Sequence, residues 1–223
     1  MAEYDPTVDR LQIKLVYYGP AMSGKTTNLM RLHDLLRPEL KGELMTLETR
    51  NDRTLFFDLL PLGFRAPSGL LIKLKLYTVP GQVQHDSTRK AVLSRADGVV
   101  FVADSQLTQR VNNGQSFDNL AENAARVGLD FERLPLVVQF NKRDLSDIIP
   151  EAELSETWRP TPWPILFASA LRAEGVRETF ETLLREVYCR LDEEFDLASH
   201  HRVSAEHWLN AIAGTSGHVG GAT

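Results

Sequence analysis

The chain has 223 residues, 43% of them hydrophobic, with a formal net charge of −5 at pH 7. This length and composition predict one domain with a single core. The acidic balance gives no electrostatic reason to expect a nucleic acid as partner, and no apolar run is long enough to span a bilayer. The single cysteine, Cys189, cannot form an intramolecular disulfide, so we expect a cytoplasmic protein. The last four residues are not a prenylation motif, so we expect no direct membrane anchor.

Strand and helix patterns alternate along the chain, which favours an α/β fold with a mostly parallel sheet and helices on both faces. The sheet is predicted to have six strands or slightly more. Candidate strands are Leu11–Tyr18, Glu43–Leu47, Leu70–Val79, Gly98–Ala103, Leu136–Phe140 and Ile165–Ala168. Candidate helices are Gly24–Arg37, Gln84–Arg95, Gly114–Val127, Glu151–Thr157 and Val176–Glu194.

Two further features complete the predicted organisation. The segment 70–79 alternates between apolar and polar residues, so we expect an antiparallel edge pair with the strand at 43–47. Residues 1–196 are predicted to form the main domain. Residues 197–223 are predicted to be a C-terminal extension with a short amphipathic helix at 203–212 and a disordered tail.

The residues after the first strand spell GxxxxGK(S/T), a pattern that predicts a phosphate-binding loop. Glycines let the backbone wrap a phosphate, and the helix that follows directs its positive dipole end at the same anion. Lys25 is expected to reach the β- and γ-phosphates as part of the catalytic set, and Thr26 to ligate Mg²⁺. The predicted nucleotide contacts in this loop are Gly19, Ala21, Met22, Ser23, Gly24, Lys25, Thr26 and Thr27.

A second motif, NKRD at residues 141–144, directly follows an apolar strand, at the edge where open α/β sheets bind ligands. Asp144 can accept hydrogen bonds from N1–H and N2–H₂ of guanine, a donor pair that adenine lacks. We expect Asn141 to tie this loop to the phosphate loop and the Lys142 stem to lie along the purine. A backbone N–H to guanine O6 is expected from Ser169, Ala170 and Leu171.

A third motif, TVPGQ at residues 78–82, ends the strand at 70–79 and resembles the DxxGQ turn of Ras-like GTPases. The N–H of Gly81 is expected to contact the γ-phosphate, and Gln82 to orient the attacking water. Thr78 stands where aspartate is usual, which removes a negative charge beside the metal. Its hydroxyl can still hold a metal-bound water.

The segment before residue 55 carries two more candidates. Thr54 is expected to supply a second hydroxyl to Mg²⁺ and to order its loop only when a γ-phosphate is present. Arg53 is a candidate arginine finger supplied in cis. A solvated surface arginine is the alternative for Arg53, and the sequence leaves both open.

The motifs GPxxSGKTTN, NDRTLFFD, YTVPGQ, DGVVFVADSQ and NKRDL together resemble the bacterial MglA family of Ras-like small GTPases. The resemblance covers about Leu11 to Leu191, and TVPGQ is that family's own pattern. It implies a P-loop Ras-like G domain that binds GTP or GDP with Mg²⁺. It also implies a role in cell polarity and motility, polarity effectors, recruitment to the cell poles in the GTP state, and a homodimeric Roadblock/LC7 activator, MglB. Family activation is said to move Arg53 and Gln82 inward.

Three functional hypotheses remain at this stage. The first is a switch that hydrolyses GTP slowly alone and faster with an activator. The second is a GTP-binding scaffold with negligible hydrolysis, supported only by Thr78 and by Ala21, whose methyl group could crowd Gln82. The third is a P-loop kinase, which would have no use for the NKRD motif.

Overall fold

The structure is a computed structural model that describes residues 2–48, 56–81 and 86–214. Within these ranges the strands are β1 (Glu3–Asp5), β2 (Arg10–Tyr18), β3 (Met45–Glu48), β4 (Phe56–Arg65), β5 (Leu71–Thr78), β6 (Gly98–Asp104), β7 (Leu136–Asn141) and β8 (Ile165–Phe167). The α-helices are α1 (Lys25–Leu35), α2 (Asp86–Leu93), α3 (Arg110–Arg126), α4 (Glu151–Trp158), α5 (Val176–Phe195) and α6 (Ala205–Ala213).

The strands form one sheet in the order β3-β4-β5-β2-β6-β7-β8, with β1 paired to β2. Pairing is parallel from β5 through β2, β6 and β7 to β8, and antiparallel for β3–β4, β4–β5 and β1–β2. The predicted α/β class with a mostly parallel sheet is confirmed. The carboxyl ends of β2, β5, β6 and β7 meet at one edge, and the candidate loops leave the sheet there.

The predicted pairing of the strand at 43–47 with the strand at 70–79 is wrong. The strand β4 was missed, and it lies between them, with Leu59 opposite both Met45 of β3 and Tyr77 of β5. Pro61 and Gly63 obscure β4 in the sequence, because both residue types are depleted in strands. The proline is tolerated since β3 pairs only with the first part of β4, and beyond it the Pro61 carbonyl accepts from Gly42 N–H at 2.9 Å.

Helices cover both faces of the sheet, as predicted. One core cluster packs α1, α5 and α6 against the sheet, and the other packs α2, α3 and α4. In β5 the three residues Ile72, Leu74 and Leu76 are fully buried, whereas Lys73 is exposed, so the predicted alternation is confirmed. Among the residues that the structure describes, no helix is long and apolar enough to cross a membrane.

The segment after α5 packs onto the main core. Trp208 of α6 is fully buried, and its indole Nε1 donates to the carbonyl of Leu184 on α5 at 3.0 Å. The hydroxyl of Tyr188 donates to the Val203 carbonyl at 2.9 Å, and Ser204 caps α6 by accepting from His207 N–H at 3.1 Å. Residues 197–214 therefore contribute side chains to the same core as residues 2–196.

We predict that Trp208→Ala lowers the free energy of unfolding by about 3–5 kcal/mol, because it empties a fully buried site and breaks the bond to Leu184. Chemical denaturation of the full chain measures the change. Glu206→Ala, on an exposed position of the same helix, is the control and is expected to change stability by less than about 0.5 kcal/mol. If Trp208→Ala lowered the free energy of unfolding as little as Glu206→Ala does, the packing of α6 would contribute nothing to the stability of the core.

Candidate nucleotide-binding site

The phosphate loop runs from Gly19 to Gly24, between the end of β2 and the start of α1. Gly19 has a φ of +141° and Gly24 a φ of +99°, both unfavourable for residues with a Cβ. A Cβ on Gly19 would collide with the carbonyl oxygen of Val102, and one on Gly24 would collide with Nδ2 of Asn141. The two motif glycines are therefore required by backbone conformation and by close approach to β6 and to the NKRD loop.

The other residues of this loop differ in exposure. Ala21 and Met22 are exposed, and Met22 has a φ of +61°. Ser23 is buried, and its Oγ has no hydrogen-bond partner in the described part of the chain. Thr27 is half-buried on the first turn of α1. The loop can thus present its backbone N–H groups to an anion, while Lys25 and Thr26 can act through their side chains.

Lys25 is buried within the loop that it follows. Its Nζ donates to the carbonyl oxygens of Pro20 at 2.6 Å and Gly19 at 3.1 Å. The pKa of Lys25 is lowered to about 7, chiefly by burial and secondly by the charge of Arg89, while Asp58 acts in the opposite direction. A nearby anion stabilises the charged form of a desolvated ammonium group whose present acceptors are neutral carbonyls. The environment of Lys25 therefore suits the binding of a phosphate.

Asp58, on the missed strand β4, lies at the centre of the site. Its Oδ2 accepts from the hydroxyl of Thr26 at 2.6 Å and from that of Thr78 at 3.1 Å. Its Oδ1 accepts from the hydroxyl of Thr46 at 3.1 Å, and its N–H donates to Thr78 Oγ1 at 2.8 Å. One buried carboxylate therefore joins α1, β3, β4 and β5.

Thr78 removes the negative charge of the usual aspartate, and a carboxylate from β4 is nevertheless present beside it. Asp58 brings the negative charge from the neighbouring strand, within hydrogen-bond distance of the same Thr26 that the motif assigns to the metal. The assembled donors are a carboxylate and hydroxyls, all of them oxygen, which suits a hard divalent cation such as Mg²⁺. The residues present therefore fit a magnesium site.

Asn141 connects the NKRD loop to two other loops of the site. Its Nδ2 donates to the carbonyl of Ser23 at 2.8 Å, and its Oδ1 accepts from the N–H of Ala170 at 2.8 Å. The side chain is buried, so both bonds are shielded from water. A single amide group thus fixes the phosphate loop, the NKRD loop and the 169–171 loop relative to one another.

The remaining residues of the base motif are positioned by neighbours. Lys142 adopts a φ of +68°, and its Nζ forms a 2.6 Å ion pair with Asp104 at the end of β6. The hydroxyl of Ser169 donates to Asp144 Oδ1 at 2.6 Å and is the main cause that lowers the pKa of Asp144. Asp144 is therefore held as a carboxylate, the form that accepts from guanine. Leu171, by contrast, is 66% exposed.

Gly81 packs directly against the phosphate loop. A Cβ at Gly81 would collide with the backbone N and Cα of Ala21. No side chain fits there, so the connection after β5 lies backbone to backbone on the phosphate loop at Ala21.

Three predicted residues, Arg53, Thr54 and Gln82, lie outside the described residues. Two residues to which the sequence analysis gave no role, Asp58 and Asp104, lie in the quoted motifs NDRTLFFD and DGVVFVADSQ. Asp58 is also a lone carboxylate in the run LFFDLLPL, and Asp104 is an acid at the end of an apolar strand. Neither signal reveals which side chain it will meet, because that depends on strand order.

Comparison with known proteins agrees with this geometry. The model of the ADP-ribosylation factor family, Arf, matches residues 67–187. The mutual gliding-motility protein MglA of Myxococcus xanthus is 42% identical over 181 residues, which is 81% of this chain and 93% of the relative. The Ras and EF-hand domain-containing protein of Xenopus tropicalis is 28% identical over 205 residues, 86% of this chain and 26% of the relative.

These matches place the chain among the Ras-like small GTPases, enzymes that bind guanine nucleotides. A P-loop kinase is therefore no longer a competing hypothesis. Within that class, the high coverage in both directions shows that the chain belongs to the MglA family.

We predict that Asp144→Asn shifts nucleotide preference from GTP toward xanthosine triphosphate, because the amide donates where the carboxylate accepted. Competition binding with the two nucleotides measures the shift, and an unchanged preference would refute the assignment. Ser169→Ala is the matched control, since it keeps the carboxylate and should keep the preference for GTP. Because the pKa of Asp144 is lowered, the wild-type preference should persist down to the ordinary pKa of aspartate and fail only below it.

We predict that Asp58→Asn raises the Mg²⁺ concentration needed to retain GTP by at least about tenfold, because the carboxylate charge beside Thr26 is lost. Nucleotide release followed at a series of Mg²⁺ concentrations gives the value. Asp34→Asn makes the same charge change at an exposed position of α1 and should match the wild type. If both variants behave alike, Asp58 does not serve the metal.

Proposed function

We propose that this protein is a GTP/GDP switch that controls bacterial cell polarity and motility. The observation that carries the proposal is the pair of bonds from Asn141, which unites a phosphate loop with a guanine-type loop. The similarity to a Myxococcus protein named for gliding motility supports the biological role. The nucleotide would lie with its phosphates at residues 19–27 and its base between Lys142 and Asp144.

Mg²⁺ would be held by the hydroxyl of Thr26, with Thr54 as the second hydroxyl and with Asp58 and Thr78 orienting the metal's water ligands. When bound, Mg²⁺ neutralises charge on the β- and γ-phosphates. Lys25 would release its bonds to the Gly19 and Pro20 carbonyls and donate to the phosphates instead. This exchange is favourable because the buried ammonium replaces neutral acceptors by an anion.

Hydrolysis would depend on groups that meet at the γ-phosphate. Gln82 orients the attacking water, Arg53 stabilises the charge that develops in the transition state, and the N–H of Gly81 contacts the γ-phosphate. The position of Gly81 against the phosphate loop supports this assignment, since it brings the segment that precedes Gln82 to Ala21. The guanine end would be held by Asp144, with an N–H of the 169–171 loop directed at O6.

The switch would act in the cytoplasm through protein partners. A Roadblock/LC7-type dimer similar to MglB would stimulate hydrolysis, and polarity effectors would bind the GTP form and recruit it to the cell poles. Residues 1–196 would form the GTPase domain proper. The extension from 197 would brace it through α6, because Trp208 and Tyr188 join the two parts.

A GTP-binding scaffold with negligible hydrolysis is the second candidate, and one contact favours it. The backbone of Gly81 lies against the backbone N and Cα of Ala21, where a glycine is common in related GTPases, so the methyl group of Ala21 would crowd Gln82. Crowding of this kind would slow the positioning of the water without preventing GTP binding.

Single-turnover hydrolysis separates the two candidates. Gln82→Leu and Arg53→Ala are each expected to slow the activator-stimulated rate by at least about 10³-fold, because each removes a group that acts in the transition state. Measurements of GTP binding on the same samples control for loss of the site. If neither substitution slows the wild-type reaction, with or without a Roadblock-type partner, the catalytic assignment fails and the scaffold is favoured.

A further inference from the structure

Arg89, on α2, is an arginine that is completely buried. Its guanidinium carbon lies 4.5 Å from the centre of the Tyr18 ring, and Nη2 donates to the hydroxyl of Ser116 at 3.3 Å. Nε and Nη1 are also buried and have no hydrogen-bond partner in the residues that the structure describes. A buried guanidinium with two unsatisfied nitrogens is costly, so its presence calls for an explanation.

The nearest carboxylate along the helix, Asp86, is engaged elsewhere. It accepts from Asn123 at 2.8 Å, and it forms ion pairs with Lys90 at 3.0 Å and Arg126 at 3.4 Å. Within the described ranges, no carboxylate forms an ion pair with Arg89. In the part of the chain that the structure describes, the charge of Arg89 is thus buried without a carboxylate paired to it.

Arg89 lies beside the residue that leads into the phosphate loop. Tyr18, on whose ring the guanidinium stacks, is the last residue of β2 and directly precedes Gly19. Arg89 is also close enough to Lys25 for the two charges to repel each other. Lys25 and Arg89 are thus two buried cations at this end of the sheet. Among the described residues there, the buried carboxylates are Asp58 and Asp104, and Asp104 is paired with Lys142, so the local charge balance favours an anionic ligand.

We propose that Arg89 is a buried counter-charge for the nucleotide's phosphates, acting from its position over the Tyr18 ring through its field rather than by contact. The inference rests on the proposed phosphate site around Lys25. In the protein interior such a field is weakly screened by solvent, so an arginine that touches no ligand still contributes to affinity. Its contribution grows with the number of phosphate charges, which distinguishes it from a residue that merely supports the loop.

The test compares Arg89→Met with the wild type. Methionine keeps an apolar stem of similar reach and removes the charge. We expect affinity for GTP to fall by about tenfold, affinity for GDP to fall less, and affinity for uncharged guanosine to stay the same. Calorimetry or competition binding with these three ligands gives the series. Arg126→Met removes the same charge from an exposed position of α3 and should leave all three affinities unchanged.

Thermal unfolding gives a second readout. In the presence of guanosine, Arg89→Met should unfold at a higher temperature than the wild type, because an unpaired buried charge is replaced by an apolar side chain. Addition of GTP should stabilise the variant less than the wild type. Lower midpoints in both conditions, or equal losses of affinity for GTP, GDP and guanosine, would show a purely structural role and overturn the proposal.

Two further comparisons keep the outcome decisive. If Arg89→Met does not fold, Arg89→Lys should keep the wild-type affinities for GTP, GDP and guanosine, because it keeps the charge. Arg89→Gln should lose more affinity for GTP than for GDP. If the two variants bind all three ligands alike, the proposed role of Arg89 as a counter-charge is rejected. Lys25→Met tests the underlying site. If it leaves GTP and GDP affinity intact, the proposed phosphate site is wrong. If it weakens both while Arg89→Met weakens neither, only the role of Arg89 is wrong.

Discussion

The site depends on one buried carboxylate and the hydroxyls that satisfy it. Asp58 accepts from Thr26, Thr46 and Thr78, which come from a helix and two strands. A buried carboxylate without such donors would cost several kcal/mol, so these elements are constrained to meet where the phosphate loop begins its helix. Because strand β4 delivers the carboxylate, the threonine at the end of β5 does not leave the site without negative charge.

The second constraint joins loops rather than elements of the sheet. The amide of Asn141 binds the phosphate loop through Ser23 and the 169–171 loop through Ala170. The absence of a side chain at Gly24 permits this approach. The loop predicted to recognise the base and the loop predicted to bind phosphate are therefore mechanically linked, and a shift in one must be transmitted to the other. The buried charges of Lys25 and Arg89 then favour occupation of that shared space by a polyanion.

Local motifs predicted the loops of this site, whereas the contacts between distant segments could not be predicted. Asn141 and Lys25 belong to patterns whose chemistry is set by adjacent residues and by their place at a strand end. Asp58 was missed because Pro61 and Gly63 disguise its strand, and because its partners depend on the order β3-β4-β5. The burial of Trp208 was missed for a related reason, since a short amphipathic helix does not reveal which face of the domain it covers.

The most direct test of this account moves the carboxylate from one strand to the other. In the double variant Asp58→Asn/Thr78→Asp, the charge returns to the end of β5 beside the same Thr26. The measurement is the Mg²⁺ concentration at which half of the GTP is retained. The account predicts that the double variant recovers most of what Asp58→Asn alone loses. A double variant as weak as the single one, with the fold intact, would contradict the claim that Asp58 supplies the charge that Thr78 lacks.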